Sequence, residues 1–146
     1  MYKGSGNLGE DLKVVKVMNG QTLTGVAALF NGASTSTSGI DTQGFNDALF
    51  LLNINQIDNP ATMTAAIYES DVNSSASAVA ITGADFGVFS KSNQGPFSGS
   101  VKCSEKKRYL FMRTQQSGPT ASYSATVLLG AAASNPCSTS LNKFEV

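Results

Sequence analysis

Histidine is absent from this chain, and so is tryptophan. Without histidine, the commonest general base and the commonest metal ligand at neutral pH are both missing. Without tryptophan, and with four tyrosines, the aromatic platform that a sugar site usually needs is thin. Cysteine is nearly absent too: Cys103 and Cys137 stand alone, at a separation that fits no metal-ligand spacing. Folding in a cytosol disfavours a bond between them, so two partly buried thiols are the favoured reading over a disulfide.

Charge is equally sparse. Charged residues make up 14% of the chain, against roughly a quarter in ordinary domains, and ten basic residues cancel ten acidic ones. A nucleic-acid partner calls for a basic stripe that releases counterions from phosphates. The one dense basic cluster here, Lys102, Lys106, Lys107 and Arg108, reads instead as a solvated strand end that discourages edge pairing. No run approaches the roughly 18 apolar residues of a membrane span; the longest, 48–52 and 127–133, are strand length. The opening "MYKGSGN" has no apolar core of a secretory signal, so synthesis in a cytosol is expected. Neither nucleic acid nor membrane is an expected partner.

What is present is a hydrophobic content of 41% mixed with serine, threonine, glycine and asparagine. That mixture suits short strands and turns, and it argues against long amphipathic helices. At 146 residues one domain is expected. Residues 1–11, with Gly4, Gly6 and Gly9, read as a flexible arm. Residues 12–30 read as a hairpin turned at Asn19-Gly20, with Gly25 as a possible bulge. "NGASTSTSG" (31–39) has no apolar anchor and reads as an exposed, mobile loop. "FNDALFLLNINQI" (45–57) alternates, with Ala48, Phe50, Leu52 and Ile54 on one face and Leu51, Asn53 and Asn55 on the other. "TMTAAIYES" (62–70) alternates as well, and the two read as a second hairpin closed at Asp58-Asn59-Pro60.

Residues 71–78 read as a loop, 79–89 as a short strand broken at Gly83, and 90–100 as a loop again. A helix over 83–89 is disfavoured by Gly83 and Gly87. "KKRYLFMRTQQSGPTASYSATVLLG" (106–130) reads as a closing hairpin turned at Ser117-Gly118-Pro119-Thr120. Its first strand is apolar on both faces around Tyr109 and Phe111, as expected for a strand covered on both sides or at a subunit contact. Residues 131–146 read as an irregular tail. The whole predicts an all-β fold, an antiparallel β-sandwich of jelly-roll-like or immunoglobulin-like type. About seven to eight strands are expected, in one domain over 12–130.

Catalytic apparatus is hard to find in this pattern. Glu69 and Asp71 flank Ser70 and offer a conceivable cation or sugar-hydroxyl site, but a solvated loop entrance is the better reading. Residues 4–9 spell GxGxxG without a preceding strand, so the dinucleotide motif fails its structural test. Asn73-Ser74-Ser75 matches a glycosylation sequon by chance if no secretory route exists. No enzyme activity, cofactor or metal is expected.

Two stretches carry a resemblance. "ALFLLNINQIDNPATMTAAIYESDVNSSASAVAITGADF" is similar to a pattern in small virion proteins of tailed bacteriophages: an apolar strand, a hairpin ending in "ESD", a polar loop and a short apolar strand. "KKRYLFMRTQQSGPTASYSATVLLG" resembles their closing hairpin. The order and spacing of these parts, over residues 48–130, carry the likeness. It implies a β-sandwich that decorates or cements a capsid, sits on the virion surface, and bridges subunits of the major capsid protein as a homo-oligomer, a trimer being favoured. Tyr2, Leu8, Leu12 and Val14 of the arm and first strand, with Tyr109 and Phe111, are the expected partner contacts. The alternatives are a tail or head-tail connector component, or a carbohydrate-binding module on the virion surface.

Overall fold

A computed structural model describes residues 12–25, 28–33, 37–130 and 142–145. Among these residues ten strands run in chain order: β1 (Leu12–Thr24), β2 (Ala28–Phe30), β3 (Ile40–Asp41), β4 (Asp47–Ile57), β5 (Thr62–Ser70), β6 (Val79–Phe89), β7 (Pro96–Lys102), β8 (Tyr109–Ser117), β9 (Thr120–Gly130) and β10 (Asn142–Glu145). They form two sheets packed face to face. Sheet A has the order β1-β9-β4-β7-β10; sheet B has β2-β8-β5-β6, with β3 also on β8. Every neighbouring pair is antiparallel except β10 and β7. The all-β sandwich is thus as the alternation predicts.

The alternation fixes which side chains fill the space between the sheets. From β4 these are Ala48, Phe50, Leu52 and Ile54; from β5 Met63, Ala65 and Ile67; from β8 Leu110 and Met112; from β9 Tyr123, Val127 and Leu129. Thr114 and Tyr123 also face inward, and the Thr114 hydroxyl donates to the Tyr123 hydroxyl across the core at 3.0 Å. That bond ties β8 to β9, one strand from each sheet, and accounts for two buried polar groups.

All three expected hairpins are replaced by other pairings. Asn19-Gly20 lies inside β1, where it bulges opposite Ser124, and β1 pairs with β9 throughout. β4 and β5 lie in different sheets, as do β8 and β9. Each of these strands has its own complete apolar row. Facing each other across the core buries both rows at once, which side-by-side pairing does not achieve. The corners that change sheets sit together: Ile57 is opposite Ala121, Thr62 is opposite Ser117, and the Asp58 N–H donates to the Thr120 carbonyl at 2.9 Å. A Cβ on Gly118 (φ +107°) would fall 2.8 Å from Ala61 Cα, so the corners touch where a side chain would part them.

Three other segments differ from expectation. β6 is one strand, bent by bulges beside Gly83 and Gly87 rather than broken. β7 occupies residues read as loop, and Asn142–Glu145 of the tail pairs with β7 as β10. The serine-rich loop is anchored. Asn31 is buried, donates its N–H to the Met112 carbonyl and accepts the Met112 N–H on Oδ1, both at 2.9 Å. Residues 37–39 then cross the outer side of sheet B as a strap. Thr37 exchanges two hydrogen bonds with Ser75, and the Gly39 N–H donates to Asn73 Oδ1 at 2.7 Å.

Candidate docking faces

Residues of the opposite parity in sheet A point away from the core, and they compose the most distinctive surface of the molecule. Cross-strand neighbours share a face, so the register reads this surface row by row. One row is Val14, Leu128, Leu49 and Ser100; the next is Val17, Thr126, Leu51 and Ser98; the next runs through Ser124, Asn53 and Pro96. Val14, Val17 and Leu51 are 56%, 50% and 40% exposed, and Leu49 and Leu128 are half-buried beside them. Among the β1, β9, β4 and β7 residues of these rows none is charged; at the β10 edge Ser98 pairs with Asn142 and Ser100 with Glu145. Asp47 and Lys102 stand opposite each other at one end, and Asn53, Asn55 and Ser124 form an uncharged polar end through side-chain hydrogen bonds of 2.9 and 3.2 Å. A depression of about 350 Å³ opens over Leu51, Asn53, Pro96, Phe97, Ser98 and Thr126. Exposed apolar side chains grouped on a sheet face whose charges stand at its margins suit a protein partner, since burying them removes apolar area without stranding a charge.

The expected contact residues fall in different places. Val14 lies on this face, and Leu12 opens β1 opposite Gly130. Tyr2 and Leu8 are outside the described residues, as are the remainder of the 1–11 arm, the GxGxxG run and Cys137. Tyr109 is half-buried on the outer side of sheet B, with the Arg108 guanidinium 5.2 Å from its ring centroid. Phe111 is a correction. It is fully buried, its ring edge-on to Phe30 at 6.2 Å and capped by Gly39, where an added Cβ would sit 2.8 Å from the ring. The apolar second face of β8 is therefore covered by the chain's own strap. Val17, Leu49, Leu51 and Leu128 were not singled out by sequence. The available signal was their parity: three leucines in β4 and β9 at positions facing away from the core.

The candidate chemical groups are occupied in ion pairs and turns. Glu69 Oε2 accepts the Lys107 N–H at 2.9 Å, and Lys107 Nζ lies 3.7 Å from Asp71, so both acids turn to one lysine. Arg108 forks onto both oxygens of Asp41 at 2.9 and 2.8 Å. That fork, with the Gln43 N–H, holds the Asp41 carboxyl down at about 2 against desolvation. Cys103 is a buried free thiol, pushed up to about 11 by desolvation and by the nearby Asp47 charge, which suppresses the reactive thiolate. Among the described residues no three His, Cys, Asp or Glu side chains gather to hold a metal ion.

The solved PBSX exported protein XepA is similar in fold, with a TM-score of 0.53 at 16% identity over 94% of this chain and 43% of its own. The infectious bursal disease virus VP2 subviral particle matches with a TM-score of 0.46 at 12% identity, over 81% of this chain and 31% of that one. The structure of the Gx strain of that virus gives 0.45 at 15% identity, over 86% and 34%. This chain thus spans less than half the length of each, and the likeness to XepA is one of fold alone. No protein-family model matches the sequence, and no curated protein does.

Proposed function

We propose that this chain is a structural virion protein of the decoration or cement type. In this reading it adds to an assembled phage head and lays the outer face of sheet A against major capsid subunits. The observation that carries it is the group of exposed Val14, Val17 and Leu51, in rows that hold no charge within β1, β9, β4 and β7. Such a patch works by area and repetition: each contact is modest, and copies spread over a shell act together. The resemblance of residues 48–130 to small virion proteins supplies the setting, and a sandwich fold similar to that of an exported PBSX protein is compatible with it. Activity by binding, without catalysis, a cofactor or a metal, belongs to the same reading.

The test is to purify particles, identify the chain by mass and count its copies per major capsid subunit. Many copies spread over the head are expected. A small fixed ring confined to the tail or the head-tail junction would replace this reading with the connector one, and absence from particles would end both.

A further inference from the structure

We propose that two copies of this chain pack through the outer faces of sheet B about a two-fold axis along β5, Arg113 of each copy lying on Asp85 of the other. One row across that face reads Phe30, Arg113, Ala66 and Asp85. Arg113 holds its guanidinium 5.9 Å over the Phe30 ring and 5.8 Å over the Tyr68 ring, and it has no carboxylate partner among the described residues. Asp85 is exposed and accepts the Gly87 N–H at 2.7 Å, again with no cation partner among them. The backbones of the two residues stand two strand spacings apart, about 10 Å, on either side of the small Ala66.

That arrangement is self-complementary. Rotation by half a turn about β5 carries the β8 side of one copy over the β6 side of the other. Arg113 then meets Asp85 twice in one contact, the signature of an isologous interface. A two-fold axis across the strands would instead set Arg113 on Arg113. Arginine stacked on aromatic rings is held ready for such a contact, because little side-chain freedom remains to be lost. The axis is two-fold, unlike the trimer that the resemblance implies, and it uses a different face from the one proposed to meet a shell.

Sedimentation equilibrium of the purified chain tests this. The wild type should reach twice the monomer mass. Arg113→Asp and Asp85→Arg should each weaken association by about tenfold or more, and Asp85→Asn, which keeps an acceptor for the Gly87 N–H, by less. An equimolar mixture of Arg113→Asp with Asp85→Arg should regain the dimer, because each reversed charge then meets its opposite. A monomeric wild type, an oligomer indifferent to both reversals, or a mixture no stronger than its components would overturn the proposal.

Discussion

Asn31 shows how much one side chain settles in this fold. It sits at φ +50°, a conformation asparagine tolerates better than most residues, in the gap between β2 and β3. There it gives Met112 both the donor and the acceptor that a regular strand residue would supply, the acceptor coming from its side chain. Asn31→Ala should leave the Met112 N–H buried and unpaired, costing about 1–3 kcal/mol in chemical denaturation. Phe50, fully buried in the middle strand of sheet A, should cost about 3–5 kcal/mol as Phe50→Ala. A Leu51→Asp change lies on the far side of the same strand and should shift stability by under about 1 kcal/mol. That contrast between adjacent residues separates core from face in one experiment.

Among the elements, the strap is the part most open to perturbation. An added Cβ on Gly39 would sit 2.6 Å from Tyr109 Cβ and 2.8 Å from the Phe111 ring. Gly39→Val should therefore lift residues 37–39, expose Phe111 and cost about 1–3 kcal/mol, seen as faster amide exchange at Gly39 and Ile40. Acid should loosen the β3 end of the same strap. The Asp41 carboxyl is depressed from 3.8 to about 2, so its contribution is complete above about pH 4 and is lost as pH falls toward 2. The pair with Arg108 is exposed and screened by solvent, so the effect should be small. Stability curves of wild type and Asp41→Asn should converge at pH 2 and separate above pH 4.

The elements also mark where sequence reading reaches its limit. Period-two alternation located β4, β5, β8 and β9, because each strand's parity is local. Which strands pair is not local. Asn19-Gly20 has the chemistry of a hairpin turn and forms a bulge, since β9 offers a longer partner than β2. The 58–61 and 117–120 corners carry turn residues and change sheets instead of reversing within one. Leu49, Leu51 and Leu128 were legible as strand residues, but their union into one face required the register of β4 on β9. The bonds of Asn31 join residues far apart in the chain and had no local signal.

Seen whole, the molecule is a sandwich whose two outer faces differ. Sheet A presents an apolar surface with its charges at the margins; sheet B presents a strapped, aromatic surface with, in a single row, one charge of each sign that has no ion-pair partner among the described residues. The first suits a large partner met in many copies, the second a copy of itself. Binding of the purified chain to phage heads that lack it measures the central claim most directly. Wild-type protein should saturate the heads, whereas a folded Val14→Asp, Leu51→Asp variant should lose at least about tenfold in affinity, as expected when charges are buried at an apolar contact. Equal binding by the folded variant, or no binding by the wild type, would contradict the account.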